Sequence, residues 1–160
     1  MTQFKNQKGF AAIEIVFVVM IIAILSGVAL PKMSQMIELA NLNYETKRFV
    51  SEFYFAKSLS RSSQIEPIIF SGVVNGGKPI SFSVASRSYQ ITSSGNPVGE
   101  KYTLPKNFQI SKNLPSVLVF SNGKNSDSGT YTITSPKNFS LYVIKNTQDR
   151  IRISRTPANN

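Results

Sequence analysis

The chain has 160 residues and a net charge of +10, from 18 Lys and Arg against 8 Asp and Glu. It contains no cysteine and no histidine, which excludes disulfides, Cys/His metal sites and His-dependent catalytic triads. We therefore expect neither an enzyme nor a bound cofactor or metal, and the basic charge indicates either an anionic partner or a charge that only maintains solubility.

The first predicted element is an apolar helix from Phe10 to Leu30. These 21 residues contain a single charge, Glu14, and as a helix they would span roughly 31 Å, the thickness of a bilayer core. Lys5 and Lys8 precede the segment and only Lys32 follows it closely, so we expect a cytoplasmic N-terminus and a head on the other side of the membrane. The alternative is a cleaved secretory signal peptide, but the apolar run exceeds an h-region of about 7–15 residues.

Glu14 is the informative residue of this segment, because a charge at the membrane centre costs on the order of 2.5–3.5 kcal/mol. One interpretation is a carboxylate that reaches the membrane interface. The other is a cationic partner from outside the segment, since no Lys or Arg lies within it. Cleavage between Gly9 and Phe10 would create an α-amino group, and that of a neighbouring copy would neutralise the acid.

These residues resemble the type IV pilin and type II secretion pseudopilin superfamily. The match is a short polar leader with lysines, then Gly9-Phe10, then Glu14 as the fifth residue after the cut. The family usually reads GFTLIE, and here Ala11-Ala12 replaces the Thr-Leu pair. Pro31 falls at the twenty-second mature position, where pilins often carry a helix-kinking proline. The resemblance implies cleavage after Gly9, N-methylation of Phe10 by a prepilin peptidase, and pairing of Glu14 with an adjacent subunit during assembly.

The helical pattern continues beyond Pro31. Apolar residues recur every three or four positions from Lys32 to about Ser62, with charges mostly between them. Pro31 removes one backbone donor and should bend or loosen the helix rather than end it. The aromatic run RFVSEFYF, residues 48–55, is expected to pack under a sheet.

Short apolar alternations separated by Gly, Asn, Ser and Pro follow residue 64 and predict β-strands. The predicted strands are PIIFSGVV, ISFSVAS, SYQIT, VLVFS, TYTIT, FSLYVIK and RIRIS, with turns at Asn75-Gly76-Gly77 and Asn122-Gly123. The stretch TSSGNPVGEKYTLPKN, residues 92–107, is predicted as an irregular connection. The fold class is therefore α+β, a long N-terminal helix packed against an antiparallel β-sheet head.

The later half resembles minor pilins and pseudopilins of the GspH/FimT type. Those sequences tend to show a Phe-x-x-Gly strand end, a strand opened by Gly-Thr, an apolar strand and a terminal G-R-x-R-type strand. The corresponding residues here are Phe120 with Gly123, Gly129-Thr130, Leu141 to Ile144, and Asp149-Arg150-Ile151-Arg152. Asp149 stands where glycine is usual.

The terminal DRIRISR stretch suggests a second function. In a strand, Arg150, Arg152 and Ser154 would share one face, with about 7 Å between the two guanidiniums. Arg155 could join them, and such contacts would bind phosphates without reading sequence. The resemblance implies the same role, because some FimT-like proteins are associated with DNA uptake. The alternative is a solvated edge strand whose charge deters aggregation.

Together these patterns predict a cleaved leader over residues 1–9, a transmembrane or filament-core helix over 10–31 and a globular pilin head over 32–160 with a frayed tail. The resemblance implies an inner-membrane, single-pass structural subunit that primes or caps a type IV pilus or a type II secretion pseudopilus. Its expected partners are other pilin subunits, the prepilin peptidase, the inner-membrane assembly platform and membrane lipid, with double-stranded DNA for the alternative function. The sequence fits a subunit of either system. It shows no acidic calcium loop of the kind that a major pseudopilin often carries, which favours a minor subunit.

Overall fold

A computed structural model describes residues 7–62 and 79–157, with helix side chains described from residue 12 onward. The chain divides into two compact units, Met1–Leu39 and Ala40–Asn160, and each is described by itself. A single helix, α1 (Gln7–Ser62), contributes to both units. The predicted strand PIIFSGVV and the turn at Asn75-Gly76-Gly77 lie outside the described residues.

The first unit is helical and apolar. All side chains from Ala12 to Ile37 are exposed, which a soluble helix would avoid by burying an apolar stripe. This part of α1 is long and apolar enough to cross a membrane, a property that signal sequences share. The helix continues through Pro31, as predicted, although the proline supplies no hydrogen to the carbonyl four residues earlier.

Within the described residues, the second unit contains the end of α1 and eight strands. The strands are β1 (Ile80–Val84), β2 (Ser88–Ser93), β3 (Asn96–Thr103), β4 (Gln109–Lys112), β5 (Val117–Phe120), β6 (Gly129–Thr134), β7 (Ser140–Lys145) and β8 (Ile151–Ser154). They form two four-stranded sheets, in the orders β3-β2-β1-β5 and β4-β6-β7-β8. Every pairing is antiparallel. The α+β layout is as predicted, with two sheets where the sequence predicted one.

The core lies between the end of α1 and the inner faces of the sheets. On α1, Leu42, Phe49, Phe53 and Ala56 are at most 1% exposed. The Phe49 ring packs edge-on against three aromatic residues from different strands, with centroids 5.1–5.4 Å apart: Phe82, Tyr89 and Tyr131. Such edge-to-face pairs add about 0.5–1.5 kcal/mol each beyond the apolar area that they bury.

Six of the seven predicted strands correspond to observed ones, and the seventh lies outside the described residues. The prediction of an irregular connection over residues 92–107 is wrong, because β3 occupies Asn96–Thr103. This strand is at the edge of its sheet and is mostly exposed, so it has no alternation of buried and exposed residues to reveal it. The short strand β4 was missed for a similar reason, since it buries only Ile110.

Candidate functional site

The predicted processing and assembly residues lie in the first unit. Gly9 and Phe10 fall within the bounds of α1, but their side chains are outside the described set. The carboxylate of Glu14 belongs to an exposed residue among exposed apolar neighbours such as Ile13 and Ile15. Within the part of the chain that the structure describes, Glu14 forms no ion pair. A membrane environment would therefore require a cation from another molecule or contact with the interface.

The predicted DNA-contact arginines lie around β8. Arg152 is in the strand, opposite Ile144 of β7, and its side chain is exposed. Arg150 is also exposed but precedes β8, in the turn between β7 and β8, so it does not continue the strand alternation as predicted. Arg155 follows the strand and is exposed. The structure thus brings the three arginines to one short segment at the edge of the second sheet.

The side chain of Asn146 holds the turn that carries Arg150. Its Oδ1 accepts hydrogen bonds from the backbone N–H groups of Gln148, at 3.0 Å, and Arg150, at 2.8 Å. The Asn146 N–H donates to the carbonyl of Arg150 at 3.1 Å. Bonds of this kind replace missing sheet pairing at a turn. Arg150 is therefore fixed at its backbone on both sides while its guanidinium stays in solvent.

The backbone conformation of Asp149 explains why glycine is usual at this position in the sequences that the chain resembles. Its φ is 58°, in the left-handed region that glycine occupies without strain and that aspartate tolerates better than most residues. Asp149 is 5% exposed. One carboxylate oxygen lies 2.8 Å from the Lys145 ammonium, and the other accepts the Asn125 N–H at 3.0 Å. These contacts offset the backbone strain that the aspartate introduces.

Lys145 is the buried cation of this cluster and was not predicted from the sequence. It is 2% exposed, and its Nζ donates to the carbonyls of Asn125, at 2.9 Å, and Asp127. Lys57 of α1 approaches Asp149 more loosely, at 3.8 Å. Strand alternation is the sequence signal that could have identified it, because Lys145 shares the inward face of β7 with Leu141 and Val143. A lysine at a core position requires a buried counter-charge.

The Phe-x-x-Gly motif joins the end of α1 to the first sheet. The Ser60 hydroxyl donates to the carbonyl of Phe120 at 3.1 Å and accepts the N–H of Gly123 at 3.1 Å. Gly123 has a φ of 67°, and a side chain there would collide with Arg61. The glycine is therefore required by both its backbone conformation and this close approach.

The charges of the second unit are distributed unevenly between surface and interior. Among residues 40–62 and 79–157, ten Lys and Arg residues are exposed: Lys47, Arg61, Arg87, Lys101, Lys106, Lys124, Lys137, Arg150, Arg152 and Arg155. Glu100 is the one exposed carboxylate in those two ranges. The other four carboxylates in those ranges are buried or half-buried; Glu45, for example, is 5% exposed and accepts a 2.8 Å hydrogen bond from the Tyr102 hydroxyl. Almost every exposed charge in these two ranges is therefore positive, which favours binding to polyanions.

Comparison with protein-family models, with curated protein sequences and with solved structures finds no match to this chain.

Proposed function

We propose that this chain is a minor pilin or pseudopilin of the GspH/FimT type, a structural subunit anchored in the inner membrane that primes or caps a type IV pilus or type II secretion pseudopilus. The observation that carries the proposal is the apolar first half of α1, exposed along its whole described length, with Glu14 as its single acid. An exposed apolar helix needs lipid or other helices around it. The head packed on the second half of α1 supports the proposed pilin fold.

In this proposal Glu14 performs the assembly step. After cleavage between Gly9 and Phe10, the new α-amino group of one subunit pairs with Glu14 of its neighbour. The pair forms in an apolar environment, where an unpaired carboxylate is costly and a paired one is not. Helix α1 first anchors the subunit in the membrane and then packs in the filament.

The test replaces Glu14 with alanine in the organism that encodes the chain. We expect the variant to be cleaved and inserted normally, because the cutting site is intact, and to lose support for filaments or secretion. Glu14→Asp, which keeps the charge, should retain part of the function and serves as the matched control. Filament counts or secreted protein are measured alongside the mass of the mature N-terminus. Normal filaments or secretion with Glu14→Ala would contradict the assembly role.

We propose DNA binding as a second function, for natural transformation. The observation that favours it is the surface imbalance of ten exposed cations against one exposed carboxylate among residues 40–62 and 79–157. Arg150, Arg152 and Arg155 supply three of these cations within six residues at a sheet edge. Backbone bonds from Asn146 hold Arg150 in place, which reduces the entropy lost on binding.

The DNA test uses the full chain in a non-ionic detergent and a duplex in a gel-shift assay. We expect Arg150→Ala with Arg152→Ala to remove most of the binding at low salt. It should also reduce the slope of log affinity against log salt by about 1.8, because each of the two lost phosphate contacts contributes about 0.9. Lys47→Ala with Lys106→Ala removes the same charge elsewhere on the surface and should have a smaller effect. Equal losses in both double variants would show that net charge alone attracts the DNA.

A further inference from the structure

A polar groove lies at one end of the first sheet. It has a volume of about 470 Å³ and is formed where β1 leads into the β1–β2 turn, beside β3, the end of β4 and the connection to β5. This volume is within the range of about 300–1,000 Å³ that small-molecule sites occupy. All of its lining residues belong to the second unit.

Backbone hydrogen bonds hold the walls of the groove. The Val84 N–H donates to the Ser116 carbonyl at 2.7 Å, and the Ala85 N–H donates to the Ser88 carbonyl at 2.8 Å. The Ser86 carbonyl accepts from the Ile110 N–H at 2.7 Å, which ties the β1–β2 turn to the second sheet. The groove is therefore formed before any ligand arrives, which lowers the entropic cost of binding.

The lining is rich in hydroxyl groups. Four serines contribute to it: Ser83, Ser86, Ser88 and Ser116. None of their hydroxyls bonds to another residue in the described ranges, 7–62 and 79–157, and the same is true of the Gln90 amide. Tyr89 also lines the groove, but its phenol oxygen is buried away from solvent, so the serines and Gln90 supply the uncharged polar groups. Such a density of unused donors and acceptors matches a ligand that carries several hydroxyl groups.

Two lysines give the groove a positive charge. Lys101 lies on β3 and is exposed, and Lys112 lies at the end of β4 and is half-buried. The Lys112 ammonium donates to the Val84 carbonyl, which leaves hydrogens for a ligand. No carboxylate is among the lining residues. Burial lowers the pKa of Lys112, and an anion beside it would raise that pKa again.

We propose that this groove binds an acidic saccharide, a sugar unit that carries a carboxylate, sulfate or phosphate group. The lysines pair with the acid and the serines and Gln90 bond to the ring hydroxyls. DNA fits the same groove less well, because Tyr89 is 3% exposed and leaves no aromatic face open for a base. The site is separate from Arg150 and Arg152 and does not depend on filament assembly.

The test uses NMR spectroscopy of the full chain in non-ionic detergent micelles. Its lysines are labelled with carbon-13, so the signals of their side chains can be followed. Galactose 6-sulfate, galactose 6-phosphate and glucuronic acid are titrated separately, with neutral galactose and inorganic sulfate as matched probes. At least one acidic sugar should shift the Lys101 and Lys112 signals to saturation and raise the pKa of Lys112. Galactose and inorganic sulfate should each bind at least about tenfold more weakly, because each offers half of the interactions.

The variants keep the result interpretable. Lys101→Gln changes an exposed residue, should fold normally and should weaken binding about tenfold. Lys47→Gln removes the same charge from α1 and should leave the affinity unchanged. Three results would overturn the proposal: no saturable shift with any acidic sugar, equal binding of inorganic sulfate, or equal losses in the two variants. A short DNA duplex that shifts the same two lysines more strongly than the sugars would assign the groove to nucleic acid instead.

Discussion

At the scale of single residues, the second unit contains several groups that only long-range contacts satisfy. Asp149 is one, because its carboxylate accepts the N–H of Asn125 besides pairing with Lys145, and removal of either partner from a buried ion pair typically costs about 3–5 kcal/mol. The phenol oxygens of Tyr89 and Tyr131 are buried with no hydrogen-bond partner among the described residues. Among the described residues, the structure thus combines a buried ion pair with three buried hydroxyls that have no hydrogen-bond partner, those of the two tyrosines and of Ser135.

Burial raises the pKa of Tyr131 above its ordinary value, and the charge of Asp127 adds to the shift. Burial is also the main cause of the raised pKa of Tyr89, which Arg48 partly opposes. A raised pKa means that the fold favours the neutral phenol. The stability from this preference is complete below about pH 10, the ordinary pKa of tyrosine, and is lost as the pH rises above it.

We expect Tyr131→Phe to unfold no more easily than the natural chain at pH 7, because the change removes a hydroxyl that has no partner. A gain of up to about 1 kcal/mol is consistent with the cost of burying an unpaired hydroxyl. The loss of stability above about pH 10 should also become shallower. Urea denaturation in detergent, followed by circular dichroism at several pH values, measures both effects.

Tyr142→Phe is the control for this prediction, because Tyr142 lies half-buried on β7 rather than in the core. The same change at this position should alter the free energy of unfolding at pH 7 by no more than about 0.5 kcal/mol. A loss of more than about 1 kcal/mol in Tyr131→Phe at pH 7 would mean that the hydroxyl bonds to an ordered water.

At the scale of elements, the aromatic run on α1 is divided between core and solvent. Phe49 and Phe53 are buried, as predicted, but Tyr54 is 44% exposed and Phe55 is 49% exposed. The prediction that the whole run packs under a sheet is therefore wrong for its last two residues. The reason is helical geometry, because successive residues are about 100° apart around the helix axis, so Tyr54 and Phe55 point away from the layer that Phe53 faces.

This division makes Phe53 and Phe55, two residues apart on α1, a matched pair for mutation. Phe53→Ala should lower the free energy of unfolding by about 3–5 kcal/mol, because its ring contacts Phe82 and Phe120 in a closed core. Phe55→Ala should change it by no more than about 0.5 kcal/mol. Denaturation of both variants under the same conditions compares them. A similar cost for the two would show that the outer face of α1 is covered in the isolated chain.

The strands illustrate which elements a local pattern can predict. β1, β6 and β7 alternate regularly between core and outer face, so apolar periodicity located them. β3 is mostly exposed and includes Gly99, with a φ of 82°, and its pairing with β2 shifts register between Tyr89 and Ile91. A mainly polar edge strand with an irregularity has the composition of a loop, and only its partner β2 makes it a strand.

At the scale of the whole molecule, the exposed charges of the described head are almost all positive, in keeping with the net charge of +10. Of the five carboxylates in residues 40–62 and 79–157, four are buried or half-buried: Glu45, Glu52, Asp127 and Asp149. Four of the fourteen lysines and arginines in the same ranges are also buried or half-buried, so ten cations and one carboxylate remain exposed. Both proposed ligands of the head, DNA and an acidic saccharide, are anions for which this surface has the right sign.

The sequence by itself determined the apolar helix, its single acid, the end of the helix at Ser62 and six strands of the described head. Each of these is a matter of local pattern, because a residue's neighbours at helical or strand spacing already show whether one face is buried. It also located the exposed arginines near β8 and the glycine of the Phe-x-x-Gly motif. The pilin resemblance stays a prediction.

Only the tertiary structure decided the division into two sheets, the presence of β3, the contacts of Lys145 and Asp149 with Asn125 and the position of Arg150 outside β8. It alone assembled the groove around Lys101 and Lys112 and turned most carboxylates inward. These features join residues that are far apart in the chain or depend on which neighbour covers them. A local pattern carries no record of such contacts, because the partner that buries or pairs a side chain is chosen by the fold as a whole.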